Sequence, residues 1–288
     1  MIRLEEKEFQ KIVSYVKTCY GVNLEKKKVL IECRLKNELT RHGLNSFSEY
    51  LNLVQEDESG MLAEEMIDRL TTHYTYFMRE SSHFEFIRDN ILPEVSSRKN
   101  SREYRIWCAG CSSGQECYTL AMLLENYQEK GCHFPPYKIL ATDISNAALK
   151  QAMAGKYPQK ELEGIPQAWI DRYCRICENQ TFEIDSNLKK NIIFRKQNLI
   201  TQQYGKEQFD LILCRNVMIY FSPEAKEGLI HKMENSLKTG GYFFIGHAEL
   251  LHRNSISLQP VGSAVYKKIV QKHIEKAEIF TPGGFYGK

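Results

Sequence analysis

A run of small residues, Ala109-Gly110-Cys111-Ser112-Ser113-Gly114, stands between an apolar stretch and a helical one. Two glycines and short side chains let a ligand approach the backbone, and the helix that follows offers its N-terminal amides to negative charge. The spacing is Gly-x-x-x-Gly rather than Gly-x-Gly-x-x-Gly, so a plain strand-to-helix turn stays open as an alternative. Asp143 closes the next apolar stretch, 33 residues beyond Gly110. A carboxylate there is placed to accept both hydroxyls of a ribose, or else to cap the helix begun by Ile144-Ser145-Asn146-Ala147. Gln197-Asn198-Leu199 ends a third stretch; an amide beside a purine can read its edge, whereas an isolated Asn is also a common turn residue. A fourth ends at Cys214-Arg215-Asn216 and continues through Val217, Met218, Ile219, Tyr220 and Phe221 to Ser222-Pro223. Upstream, residues 71–80 (TTHYTYFMRE) mix hydroxyls, aromatic rings and charge at the end of a helical pattern.

Two C-x-x-C pairs, Cys108–Cys111 and Cys174–Cys177, raise the question of zinc. Zinc ribbons separate their pairs by about 15–20 residues, and here the gap is several times longer. Nine cysteines, an odd number in a chain of 288 residues, also argue against a secreted disulfide framework. Reduced, mostly buried thiols and no metal are expected.

These residues need elements to hold them. Phe9, Ile12, Val13 and Val16 recur at helical spacing, with Gly21 closing that helix. A second helix is expected from Lys26 to His42. Ser46-x-x-Glu49 reads as a capping box for a third, and Met61, Leu62, Met66, Ile67 and Leu70 mark a fourth. Phe84, Ile87 and Ile91 define another, which Pro93 should stop. From residue 104 short apolar strands alternate with helices, the pattern of a doubly wound, mostly parallel α/β sheet. Its ligands bind at the carboxyl ends of the strands, near the switch in strand order. The expected organisation is a helical N-terminal domain over 1–75, a linker helix over 76–95 and an α/β domain over 96–270. A small β insertion falls near 169–192, and a polar, mobile tail over 271–288.

Composition limits the rest. With 39 Lys+Arg against 36 Asp+Glu, the net charge of +3 is too mild for a dedicated nucleic-acid binder. No apolar run approaches the roughly 20 residues of a membrane span. The N-terminal stretch MIRLEEKEFQ is acidic where a secretory leader is basic and then apolar. A soluble cytoplasmic protein is expected, with no nucleic-acid partner and no membrane insertion.

The strings RIWCAGCSSGQECYTLAMLL (105–124), ILATDIS (139–145), FDLILCRNVMIYF (209–221), LKTGGYFFIGHAE (237–249) and TTHYTYFMRE (71–80) resemble CheR, the chemotaxis-receptor glutamate methyltransferases. These belong to the class I S-adenosylmethionine methyltransferases, with a Rossmann-like domain. The resemblance runs over nearly the whole chain. It implies methyl transfer from S-adenosylmethionine to receptor glutamates, with S-adenosylhomocysteine as product and the cofactor lying between the two domains. By the same resemblance, His73, Thr75, Arg79, Gly110, Glu116, Asp143, Asn198, Leu199, Arg215 and Asn216 match cofactor-binding positions, and Arg79 and Tyr220 match the pair beside the transferred methyl. His73 stands where the family usually has Asn, Gln115 where it has Glu, and Cys117 where it has Pro. The Asn/Asp-Pro-Pro-aromatic stretch of amino-methylating enzymes does not occur after residue 214. The implied partner is the cytoplasmic helical domain of a chemoreceptor, met by the second helix, and the implied state is a monomer. Six basic residues against three acidic ones over 25–42 suit that contact, or simply a solvated face. The insertion is short for gripping a receptor tail. A cofactor-binding regulator without transferase activity is the alternative that the departures leave open.

Overall fold

The computed structural model describes residues 2–71, 74–98, 102–251 and 257–270. Four helices come first: α1 (Glu6–Tyr20), α2 (Lys28–Arg41), α3 (Phe47–Glu56) and α4 (Met61–Leu70). Helices of 10–15 residues are marginal alone in water, so packing holds these. Ile12, Val16, Ile31, Leu35, Leu39, Met66 and Ile67 are fully buried in one core. Gly21 closes α1 in the left-handed region at φ +70°. Ser46 caps α3 by accepting from the Glu49 amide at 3.2 Å, while Glu49 reaches back to the Asn45 amide at 2.8 Å rather than to Ser46 itself.

The next helix does not stop at Pro93. It runs as α5 (Ser81–Phe86), a π-helical turn (Ile87–Ile91) and α6 (Leu92–Ser96). The wide turn lies just before the proline, where an α-helix would lose a hydrogen bond and clash with the ring. Asn90 Nδ2 donates to the Phe86 carbonyl at 3.2 Å, supplying a donor within the altered turn.

Beyond it lie β1 (Tyr104–Ala109), α7 (Gln115–Glu129), β2 (Tyr137–Asp143), α8 (Asn146–Ala154), β3 (Lys156–Pro158), α9 (Gln167–Tyr173), β4 (Cys174–Cys177), β5 (Thr181–Ile184), α10 (Ser186–Lys189), β6 (Ile192–Lys196), β7 (Phe209–Cys214), α11 (Pro223–Ser236), β8 (Leu237–Ile245), β9 (Leu258–Gly262) and β10 (Val265–Lys268). Seven strands form one sheet in the order β6-β2-β1-β7-β8-β10-β9. The first five are parallel, and β10 runs antiparallel to both of its neighbours. This closing hairpin was not among the expected strands, because its mixed sequence carries no apolar run. Strand β1 is central, and Ile106, Trp107 and Cys108 are fully buried; a strand covered on both faces reads as continuous apolar sequence. Strand order reverses between β2-β1 and β1-β7, so the crevice lies over the carboxyl ends of these strands.

The small antiparallel sheet has the order β3-β5-β4. It begins at Lys156, upstream of the expected insertion, because β3 is only three residues long and follows α8 directly. The tail 271–288 lies outside the described residues.

Candidate functional site

A cleft opens between the helical bundle and the carboxyl ends of β1, β2, β6 and β7. Thr75, Arg79, Gly110, Glu116, Asp143, Asn198, Leu199, Arg215, Asn216 and Tyr220 all line it, so residues spread over some 145 positions meet in one place. His73 lies outside the described residues.

The floor follows from backbone chemistry. The Gly110 and Cys111 amides both donate to the Thr142 carbonyl, at 2.8 and 2.9 Å, fastening the β1 turn to the end of β2. Gly110 has φ +81°, a conformation natural to glycine. A β-carbon there would lie 2.3 Å from Val217 Cγ2. Asp143 serves both loops: its carboxylate accepts from the Ser112 amide at 2.7 Å and the Ser145 amide at 2.9 Å. Ser145, not Asp143, is the side-chain cap of α8, accepting from Ala148 at 3.0 Å. Asp143 is thus fixed at the cleft floor by its neighbours' amides, and the capping of α8 falls to Ser145.

A charge cluster forms the next wall. The Arg215 side chain is 2% exposed and donates to Glu80 Oε2 at 3.1 Å and Glu116 Oε2 at 3.2 Å. It also donates to the Arg79 carbonyl and lies 5.3 Å from the Phe84 ring centroid. A buried cation needs such partners to offset its desolvation. Burial pushes the Glu80 carboxyl up, but Arg215, the Asn216 amide and the His247 N–H outweigh it and leave it below its ordinary value. Burial dominates at Glu116, whose carboxyl is raised despite Arg215. Arg79 donates to the Tyr74 carbonyl at 2.7 Å and sits about equally far from the Tyr74 and Tyr76 rings, 6.0 and 5.9 Å.

Tyr220 is delivered by a loop that both domains hold. Glu249, 3% exposed, accepts from the amides of Asn216 at 3.0 Å, Ile219 at 3.1 Å and Gly246 at 2.6 Å. Burial keeps its carboxyl above the ordinary value although these amides oppose the shift. From the bundle, the Asn23 amide donates to the Tyr220 carbonyl at 2.8 Å, and the Ser222 amide to the Gly21 carbonyl at 3.0 Å. Asn198 joins the same seam: its Nδ2 donates to the Cys19 carbonyl at 2.9 Å and its Oδ1 accepts from Ile200 at 2.9 Å. Both ends of that amide are therefore bonded within the protein, which makes it a domain tie as well as a wall of the cleft.

Glu80, Glu249 and the bundle residues Tyr20 and Val22 were not singled out from sequence. Glu80 ends the TTHYTYFMRE run and Glu249 the LKTGGYFFIGHAE run, so the strings held them without revealing their partners. Gln115 is 2% exposed and points elsewhere, donating to Glu161 Oε2 at 2.9 Å and accepting from Ser113 at 2.8 Å. An amide is the natural partner of Glu161, where a second carboxylate would repel. Cys117 is fully buried, and burial, with hydrogen bonds to Cys108 and Cys111, holds its thiol well above the ordinary value. All nine cysteines are free thiols, four of them buried. Cys174 and Cys177 fall three apart on β4, on opposite faces of the strand, and so cannot converge on one ion.

The strand order and the glycine turn beside an acidic strand end define a Rossmann-like domain with a nucleotide-type crevice at its strand ends. Residues 73–267 match the SAM binding domain of the CheR methyltransferases and residues 7–71 their all-alpha domain. The chain belongs to the CheR methyltransferase family. A chemotaxis protein methyltransferase of Borreliella burgdorferi is 39% identical over 272 residues, covering 93% of this chain and 96% of the relative. Chemotaxis protein methyltransferase 1 of Pseudomonas aeruginosa is 32% identical over 239 residues, 82% of this chain and 87% of that one. A chemotaxis protein methyltransferase of Listeria monocytogenes is 32% identical over 266 residues, 91% and 98% of the two chains. Among the described residues no helix is long and apolar enough to cross a membrane.

Proposed function

We propose that this protein transfers the methyl group of S-adenosylmethionine to glutamate side-chain carboxylates of chemoreceptors, yielding glutamate methyl esters and S-adenosylhomocysteine. It does so as a cytoplasmic monomer in sensory adaptation. The observation that carries this is the convergence of Arg79 and Tyr220 on one cleft, above the floor of Gly110 and Asp143.

When bound, S-adenosylmethionine supplies a methyl group made electrophilic by its sulfonium. The Gly110 turn would admit the cofactor close to the backbone, Asp143 would accept from its ribose hydroxyls, and Leu199 with Asn198 would border its adenine. Thr75, Glu116 and Asn216 line the remainder, with Arg215 holding the acidic side chains in place. Replacing Asp143 by Asn should raise the Kd for S-adenosylhomocysteine about 10–100-fold, the value of one or two hydrogen bonds to a charged group. Turnover at saturating cofactor should change less, which calorimetry and initial rates together would check.

A glutamate carboxylate, with a pKa of about 4.3, is already ionised at neutral pH and needs no general base. Transfer would join the carboxylate oxygen to the methyl carbon as the carbon–sulfur bond broke, leaving this chain's residues the task of alignment and exclusion of water. Arg79 holds the acceptor by a charge-assisted hydrogen bond, and Tyr220 orients it through its hydroxyl. On the receptor side, α2 uses several of its cations internally. Arg34 donates to the carbonyls of Arg69 and Thr71 at 2.9 and 2.8 Å, Lys28 pairs with Glu6 at 2.8 Å, and Arg41 pairs with Glu65 at 3.0 Å. Lys26, Lys27 and Lys36 are the cations we assign to an acidic receptor helix.

The test is methyl transfer from labelled S-adenosylmethionine to receptor-containing membranes of the source organism. Label released by alkali as methanol is expected; alkali-stable label would assign the acceptor to nitrogen or carbon instead. Gln115 lies outside the cleft, so its departure from the family pattern does not favour a regulator without activity.

A further inference from the structure

Behind Arg215, Glu80 of the charge cluster meets two further donors. Ligand atoms of Glu80, His83 and His247 all lie within 4.8 Å of one another. Glu80 precedes α5, His83 lies within it, and His247 follows β8, so two segments remote in sequence supply the set.

His83 is 1% exposed. Its Nε2 faces the Ser263 carbonyl oxygen at 3.2 Å, a contact that requires N–H at that nitrogen. In the neutral ring Nδ1 then carries a lone pair. That buried atom has no hydrogen-bond partner and lies 3.5 Å from Glu80 Oε2. A lone pair facing a carboxylate oxygen is repulsive unless something cationic stands between them. Nitrogen and oxygen ligands at about 2.0–2.1 Å around tetrahedral zinc are about 3.4 Å apart, close to the separation found here.

The surroundings have the form of a metal's outer shell. A backbone carbonyl sets the tautomer and orientation of His83, as happens for ligating histidines. The other Glu80 oxygen is occupied by Asn216 Nδ2 at 3.1 Å and the His247 amide at 3.3 Å, which turns Oε2 toward His83. The His247 ring stands edge-on to His83 at 77°, with centroids 4.5 Å apart. It is exposed, so an ion has an entry path and a fourth position open to water. The opposing feature is Arg215, which shares Glu80 Oε2 and sets the affinity well below that of a closed structural site.

We propose that Glu80, His83 and His247 form a binding site for one divalent transition-metal ion of the zinc class, with two imidazoles, one carboxylate and one water as ligands. Imidazole and carboxylate donors without thiolate suit Zn²⁺ and Co²⁺.

The full chain, stripped with chelator, is titrated with Co²⁺ and then Zn²⁺. One equivalent of Co²⁺ should give a visible ligand-field band without thiolate charge-transfer absorption, and Zn²⁺ should displace it. Substituting the exposed ligand, His247→Ala, should weaken binding at least about 10-fold. His231→Ala, at a surface histidine elsewhere, should leave it unchanged. Thiolate bands, equal losses in the two variants, or full affinity in His247→Ala would overturn the site. Co²⁺ that never binds would overturn it as well, and would assign the Nδ1 position to a proton on a charged imidazole.

Discussion

Replacing Arg79 by alanine is expected to cut turnover by at least about 100-fold, the usual scale for removing a positioned electrostatic contact to reacting atoms. Affinity for S-adenosylhomocysteine should fall by less than about tenfold, since Gly110 and Asp143 carry the floor of the cleft. The asymmetry follows from how Arg79 is held. Its bond to the Tyr74 carbonyl and the two flanking tyrosine rings place a fixed cation in the cleft before the acceptor arrives, so little reorganisation remains for the reaction. Such a cation must align the carboxylate without binding it too tightly, because ground-state stabilisation slows attack. Arg79→Lys keeps the charge but loses the planar fork and should recover only part of the rate. Turnover on receptor membranes, set beside calorimetric cofactor affinity, separates the two effects. Wild-type turnover in Arg79→Ala would remove the residue from catalysis, and a parallel loss of affinity would make it a cofactor contact alone.

What could be read from the residues was whatever depends on local pattern. Strand ends declare themselves where apolar runs break into Gly110, Asp143, Asn198 and Arg215, and a parallel sheet brings such ends together. Long-range pairing left no such mark. Nothing in a lone Glu249 says that its carboxylate will collect three amides from two loops. Nor does Asn198 disclose that its amide will hold the Cys19 carbonyl of a distant helix. Glu80 is subtler still, because its role depends on a left-handed backbone at φ +54°, uncommon for a non-glycine residue. The turn aims a carboxylate at Arg215, Asn216 and His247 together. Pro93 misled for the opposite reason: the local rule against it inside a helix holds, and a π-helical turn met it.

Gly110→Ala should be the most damaging small substitution in the cleft floor. The added methyl meets two penalties that can be separated. Its backbone, at φ +81°, costs an L-residue about 1–2 kcal/mol. Its β-carbon would lie 2.3 Å from Val217 Cγ2, well inside contact distance, and valine has little rotamer freedom with which to give way. The loop bearing Val217 cannot easily move, because Glu249 holds the amides of Asn216 and Ile219 on either side. Any shift that relieves the clash must therefore displace Asn216 or Tyr220. Cofactor affinity should fall by more than about tenfold and stability by about 2–5 kcal/mol, the backbone cost added to the about 1–3 kcal/mol of an overpacked core. The double variant Gly110→Ala/Val217→Ala opens the space and leaves only the backbone penalty. It should regain much of the lost affinity even where the melting temperature recovers partly. If Val217→Ala restores nothing, the harm lies in the backbone conformation or in the methyl facing the cofactor. If it restores cofactor affinity and turnover together, the glycine is required chiefly so that the Tyr220 loop can pack against the floor.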